Sequence, residues 1–125
     1  MQIYANAIEE DEMSLLHWPS VMLLESFLAG LPVNRNGRAL EVAAGDARLS
    51  RHLLTKLFTA IDCFDQCPEA VRRIERLKVG YDAIKNVDQA TMQSFTWEKT
   101  YAVIVLRWCI GYLTDGELIQ FLRKA

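Results

Sequence analysis

The chain is poor in several things that would place it at once. It has three cysteines, two histidines and three prolines in 125 residues. Cys63, Cys67 and Cys109 form no C-x-x-C pair and have no matching His-x3-5-His, so neither a zinc site nor a disulfide framework is expected. His17 and His52 stand alone and read as structural residues. No apolar stretch of about 18 residues is present, which excludes an obvious membrane-spanning helix. The acidic start "MQIYANAIEEDEM" is unlike a basic secretory or mitochondrial leader. Basic surplus is missing too: the net charge is −2, with 14 Lys+Arg against 16 Asp+Glu. No basic cluster is longer than Arg72-Arg73, so nucleic-acid binding has no support. A reducing location inside the cell, cytoplasmic or nuclear, and no membrane association are the expectations. No repeat or low-complexity tract occurs.

What is present is an apolar content of 51%, enough for one globular domain or part of one. "PSVMLLESFLAG" reads as an amphipathic helix, with Pro19 suited to its first position and Gly30 to its stop. The turn formers of "LPVNRNGR" then deliver the chain to the short strand "ALEVA". Leu49, Leu53, Leu54, Leu57 and Phe58 repeat at helical spacing, predicting a helix over 47–58. "AIDCF" reads as a second strand, "PEAVRRIERL" as a helix with an acidic first turn and a basic last turn, and "DAIKNV" as a third strand. "YAVIVLRW" has the β-branched, continuously apolar pattern of a buried parallel strand. In "TDGELIQFLRKA", Thr114 and Glu117 fit a capping box.

Strands alternating with helices imply an α/β fold with a parallel sheet, and right-handed crossovers place the first strand centrally. At the carboxyl end of such a strand, the small-residue turn "AAGDA" around Gly45 lets backbone approach a ligand, and the next helix offers free amides to an anion. Asp65 lies 20 residues after Gly45, where an acid commonly meets a ribose hydroxyl pair. An ordinary strand-to-helix turn fits these residues equally well.

"ALEVAAGDARLSRHLLTKLF", "IDCFDQCPEAV" and "VIVLRWCIGYLTDGELIQFLRKA" together resemble the class I S-adenosylmethionine-dependent methyltransferases. Within them they resemble the protein alpha-N-terminal methyltransferase family, with its ALDxGAGxGRxT turn and IxWxIGHLTD segment. The likeness runs from about residue 38 to 125, leaving 1–37 as a helical segment and linker. It implies a Rossmann-like fold of which only the first four strands are present, in the order 3-2-1-4. S-adenosylmethionine is the implied cofactor, and a protein or peptide with a free amino terminus the implied substrate.

By position, the resemblance puts Glu41 at the head of the cofactor motif and Ala43 and Gly45 in the turn against the methionine part. Arg48 would meet the cofactor carboxylate. Asp65, followed by Gln66, would hold the ribose, and Met92 and Gln93 would flank the adenine. Arg107 stands where the family usually has glutamine. Trp108 would line the methyl-transfer region, with Tyr112 nearby in place of the family's histidine. The bland reading of Arg48 is a solvated helix residue, of Met92 core filler and of Trp108 a packed aromatic.

Two departures bear on activity. The first and third glycines of G-x-G-x-G are Ala43 and Ala47, whose methyl groups restrict positive φ and fill space near the backbone. Asp46 adds a negative charge that could instead cap the helix. The apolar fourth strand would also lie at an open edge, so either these residues are a piece of a longer chain or another chain or a symmetry mate is expected to cover it. An N-methyltransferase is therefore the first reading, and a degenerate methyltransferase fold serving as a binding or scaffold subunit the second. A nicotinamide-dependent Rossmann enzyme is disfavoured by the lack of G-x-G-x-x-G.

Overall fold

The structure is a computed structural model that describes residues 10–107 and 113–125. It divides after Val33 into two compact units.

The first unit holds one helix, α1 (Glu10–Ala29), with Pro19 inside it. The expected start at Pro19 is therefore corrected: the helix begins nine residues earlier. Proline removes an amide donor and crowds the carbonyl four residues back. The Glu, Met and Leu residues on its amino-terminal side are strong helix formers, and the helix runs through.

The second unit is a four-stranded parallel sheet in the order β3-β2-β1-β4, with β1 at Arg38–Val42, β2 at Ala60–Asp65, β3 at Ile84–Gln89 and β4 at Val103–Leu106. The parallel direction and central β1 are what the strand pattern predicts, and the order is the one the family resemblance implies. Central β1 and β2 are buried almost throughout, with Ala39, Leu40 and Ile61 at 0% exposure, as parallel strands covered on both faces should be. Between β1 and β2 runs α2, a π-helical turn Ser50–Leu54 continued by Thr55–Leu57. Helix α3 (Pro68–Leu77) has Pro68 in its first turn and buries Ala70 and Ile74. Helix α4 (Asp115–Lys124) starts with the expected capping box: the Glu117 amide donates to Thr114 Oγ1 and the Thr114 amide to Glu117 Oε1.

The third and fourth strands follow one another with no helix between them, as the strand pattern predicts: the chain from β3 to β4, residues 90–102, is irregular and leads from one edge of the sheet to the other. Aromatic packing from this segment covers the sheet. Phe95 stacks on Phe64 of β2 with ring centroids 4.3 Å apart. Trp97 meets Phe95 at 5.0 Å and Phe121 of α4 at 5.2 Å, both edge-on. With Leu40, Val42 and Met92 these rings form the core on that face.

Gly37 fixes the approach of the chain to the sheet. A Cβ there would lie 2.7 Å from Ala102 Cβ and 3.0 Å from the Asn34 carbonyl, so no larger residue fits without displacing backbone. Ala102 then donates to the Arg38 carbonyl at 2.7 Å and starts the pairing of β4 with β1.

Candidate functional site

The carboxyl ends of β1, β2 and β4 bring together most of the residues singled out in the sequence. After Val42 the backbone turns through two left-handed alanines, Ala43 at φ 51° and Ala47 at φ 57°, with Gly45 at φ 62° between them. L-residues adopt this region at a cost of about 1–2 kcal/mol each, so the turn keeps a glycine-type path although two of its glycine positions hold alanine. The methyl groups are accommodated on the protein side. Ala47 is fully buried, and Ala43 packs against the core that contains Val42 and Phe64. A Cβ placed on Gly45 would meet nothing within 4 Å, so the outer side of the turn is open.

Asp65, the last residue of β2, is 3% exposed and ties this turn to the next one. Its Oδ2 accepts from the Gly45 amide and its Oδ1 from the Cys67 amide, each at 2.9 Å. A carboxylate offers about four acceptor positions, so each oxygen retains capacity for a hydroxyl donor. Gln66 follows and is exposed.

Glu41 lies on the other side of the turn, buried beneath α2. Its Oε1 accepts from both the Ser50 amide and the Ser50 hydroxyl at 2.7 Å. Burial pushes its carboxyl up to about 7; the Ser50 hydrogen bonds and the charge of Arg107 act in the opposite direction. The Ser50 hydroxyl also lies 3.4 Å from Cys63 Sγ, and burial raises that thiol far above its ordinary range. Ser50 was not singled out from the sequence. Its signal was available, since it interrupts an otherwise leucine-lined helix face with a polar group.

The two arginines of the site differ in their engagement. Arg48 Nε donates to Asp46 Oδ2 at 2.7 Å, and Arg51 approaches the same oxygen at 3.5 Å. Asp46 thus clamps two guanidinium groups, and no side-chain bond from it caps the helix. Arg107 follows β4. Val42 pairs with Leu106, which puts Arg107 one residue beyond the last β1–β4 pair. Burial lowers its pKa, while the charges of Glu41 and Asp46 oppose that shift. Its Nη1 is buried with no hydrogen-bond acceptor, one of two such side-chain atoms among the described residues.

Met92 and Gln93 are separated in role. Met92 belongs to the core on the Phe64 face, whereas Gln93 is exposed and its amide hydrogen-bonds Glu117 of α4. Trp108 and Tyr112 lie outside the described residues. Among those described, no group of His, Cys, Asp or Glu could hold a metal ion, and no helix is long and apolar enough to cross a membrane.

Comparison with known proteins identifies the family and the fold. A family described as AdoMet-dependent proline di-methyltransferase matches residues 18–125. The chain is 35% identical over 105 residues to the N-terminal Xaa-Pro-Lys N-methyltransferase 1 of Homo sapiens, covering 81% of this chain and 47% of the relative. It is 28% identical over 102 residues to the alpha N-terminal protein methyltransferase 1 of Drosophila melanogaster, covering 78% of this chain and 37% of the relative. A solved SAM-dependent methyltransferase of Leishmania major superposes with a TM-score of 0.83 at 29% identity, covering 90% of this chain and 46% of that one. The chain therefore spans less than half the length of these relatives.

Proposed function

The chain belongs to the AdoMet-dependent proline di-methyltransferase family, and from that premise we propose that it holds S-adenosylmethionine for methyl transfer to the α-amino nitrogen of a protein or peptide. Residues 38–125 are the methyltransferase part in this reading, and 1–37 the helical segment and linker. An amino terminus of the Xaa-Pro-Lys type, named in relatives, is the first substrate class to test. A location inside the cell, cytoplasmic or nuclear, accords with it.

The observation that carries the reading is the tie between Asp65 and the Gly45 amide. It sets the acidic end of β2 against a turn whose outer side is open, the arrangement that suits a nucleoside with its amino-acid end at the glycine-type turn. The positive φ of Ala43 and Ala47 supports an intact turn and weighs against the degenerate scaffold. The buried, unsatisfied Arg107 Nη1 also fits a site that receives an anionic group.

When bound, S-adenosylmethionine supplies an electrophilic methyl group on a sulfonium centre. The chain's own residues position and desolvate. Asp65 takes the ribose hydroxyls and the 43–47 turn takes the methionine part in this reading, while Met92 serves as core packing and exposed Gln93 is the member of the pair left for the adenine side. Trp108 and Tyr112 are assigned to the methyl-transfer region.

Calorimetric titration with S-adenosylhomocysteine tests the pocket. Micromolar binding is expected, weakened in D65A by about 1–3 kcal/mol through lost charge-assisted hydrogen bonds. Unchanged affinity in a folded D65A would remove the ribose assignment. Mass spectrometry of an Xaa-Pro-Lys peptide incubated with the full protein and S-adenosylmethionine tests the transfer.

The apolar edge of β4 is also assigned a partner. Among the described residues β4 (Val103–Leu106), built only of Val, Ile and Leu, is an edge strand of the sheet, a pattern isolated proteins avoid. We propose that a strand from another chain or from a second copy covers it. A monodisperse monomer whose β4 amides exchange freely with solvent would refute this.

A further inference from the structure

We propose that Arg107, not Arg48, is the principal receptor for the α-carboxylate at the amino-acid end of the ligand. This rests on the reading of the pocket given above. It changes which side chain recognises that end and what kind of recognition it is.

Three observations support it. Arg48 is already part-engaged, since its Nε donates to Asp46 Oδ2 at 2.7 Å and the Asp46 carboxylate offsets its charge. A carboxylate that met Arg48 would lie beside the like-charged Asp46 carboxylate, which Arg51 also approaches at 3.5 Å. Arg107, by contrast, has a donor with nothing to bond. Its Nη1 is buried without an acceptor, and a buried donor left unsatisfied costs about 1–3 kcal/mol. A guanidinium cannot escape that cost by losing its proton. Such groups are few in folded proteins and generally mark a missing partner.

The third observation is placement. Arg107 is one residue beyond the last β1–β4 pair, Val42 with Leu106, and Glu41, Asp46 and Arg48 act on it electrostatically, which puts it at the end of the sheet where the left-handed turn starts. A carboxylate there would satisfy Nη1 and could be gripped by both arms of the planar fork. The neighbouring acids set the limits of the choice. Glu41 and Asp46 both act electrostatically on Arg107, yet neither bonds Nη1. Glu41 Oε1 is directed to Ser50, and Asp46 Oδ2 to Arg48 and Arg51. Glutamine at this position would offer a single uncharged amide, whereas arginine offers a charged, two-armed donor.

Two probes separate the ends of the ligand. S-adenosylhomocysteine carries the amino-acid end, and 5′-methylthioadenosine retains the nucleoside and thioether without it. Calorimetry on the unaltered chain, R107A, R107Q and R48A is expected to give a selective loss. R107A should bind S-adenosylhomocysteine about 10- to 100-fold more weakly, with methylthioadenosine within about threefold. R107Q should fall between the unaltered chain and R107A, and R48A should lose less than R107A. Equal losses for both ligands in R107A and R107Q would mean a structural role and overturn the proposal, as would unchanged S-adenosylhomocysteine affinity. A larger selective loss in R48A would return the carboxylate to Arg48. If the unaltered chain, folded by circular dichroism, binds neither probe, the pocket reading falls together with this inference. Binding of both probes with no effect of Arg107 removes this inference alone.

Discussion

In the amino-terminal half of the sheet, the Asp62 carboxylate has every oxygen engaged, whereas at the carboxyl ends of the same strands polar groups are strained or unmatched. Asp62 is 1% exposed. Its Oδ1 accepts from Arg38 Nη1 at 2.7 Å and from the backbone and side chain of Asn86 at 3.2 and 2.9 Å, while Oδ2 accepts from Tyr101 at 2.9 Å. The register between β2 and β3 shifts beside it, and the Asn86 amide turns to the carboxylate. At the other end stand two left-handed alanines, a buried Glu41 carboxyl raised to about 7 and an unpaired Arg107 nitrogen. One end of the sheet holds the fold together, and strain and unmet hydrogen-bonding capacity concentrate where a ligand would complete the structure.

That contrast can be broken most forcefully at its closed end. D62A leaves the partly buried Arg38 without its partner and should lower stability by about 3–5 kcal/mol, read by urea denaturation. A loss below about 1 kcal/mol would mean that the network adds little to stability.

A change of pH sharpens the contrast from the open end. The folded pKa of Glu41 lies near 7 against an ordinary 4.5, so between these values the folded form keeps a proton that the unfolded chain releases. Its contribution to stability is fully present below about pH 4.5 and is lost as pH rises through about 7. In E41Q the fall of stability across that window should flatten by up to about 3 kcal/mol. Parallel curves for the two proteins would refute the assignment.

The smallest effects are expected in the turn, and they differ between its two alanines. A43G relieves left-handed strain of about 1–2 kcal/mol against the extra freedom of glycine in the unfolded chain, about 0.5–1 kcal/mol. A net gain of about 0.5–1 kcal/mol should follow. A47G also removes a fully buried methyl, worth about 0.8 kcal/mol, so its effect should be close to zero. A loss above about 1 kcal/mol in A43G, read as a lowered Tm, would contradict a left-handed Ala43.

Much of the fold was legible because its signals are local. Val, Ile and Leu in "VIVL" mark a buried strand by composition, Thr114 and Glu117 mark a helix start by spacing, and parallel strands linked by short helices admit few orders. Asp65 was legible as well, through its distance from Gly45. The start of α1 was misread because Pro19 is a stop or start only by preference. The aromatic packing of the β3–β4 connection escaped because a cluster of Phe95, Trp97 and Tyr101 has no period to reveal it.

The sequence by itself therefore determined the strands, their order and direction, the capping of α4 and the residues that meet at the carboxyl ends of the sheet. The strands, their parallel direction and the cap follow from side-chain periodicity and backbone preference within a few residues, whereas the strand order and most of the site residues follow from the family resemblance. Only the tertiary structure decided that Ala43 and Ala47 hold glycine-type conformations, that Asp46 occupies Arg48, that Glu41 lies buried against Ser50 and that Arg107 keeps an unmatched donor. Each of these depends on groups brought together from separate strands and turns, where burial and the available partners, rather than local preference, set the balance of energy.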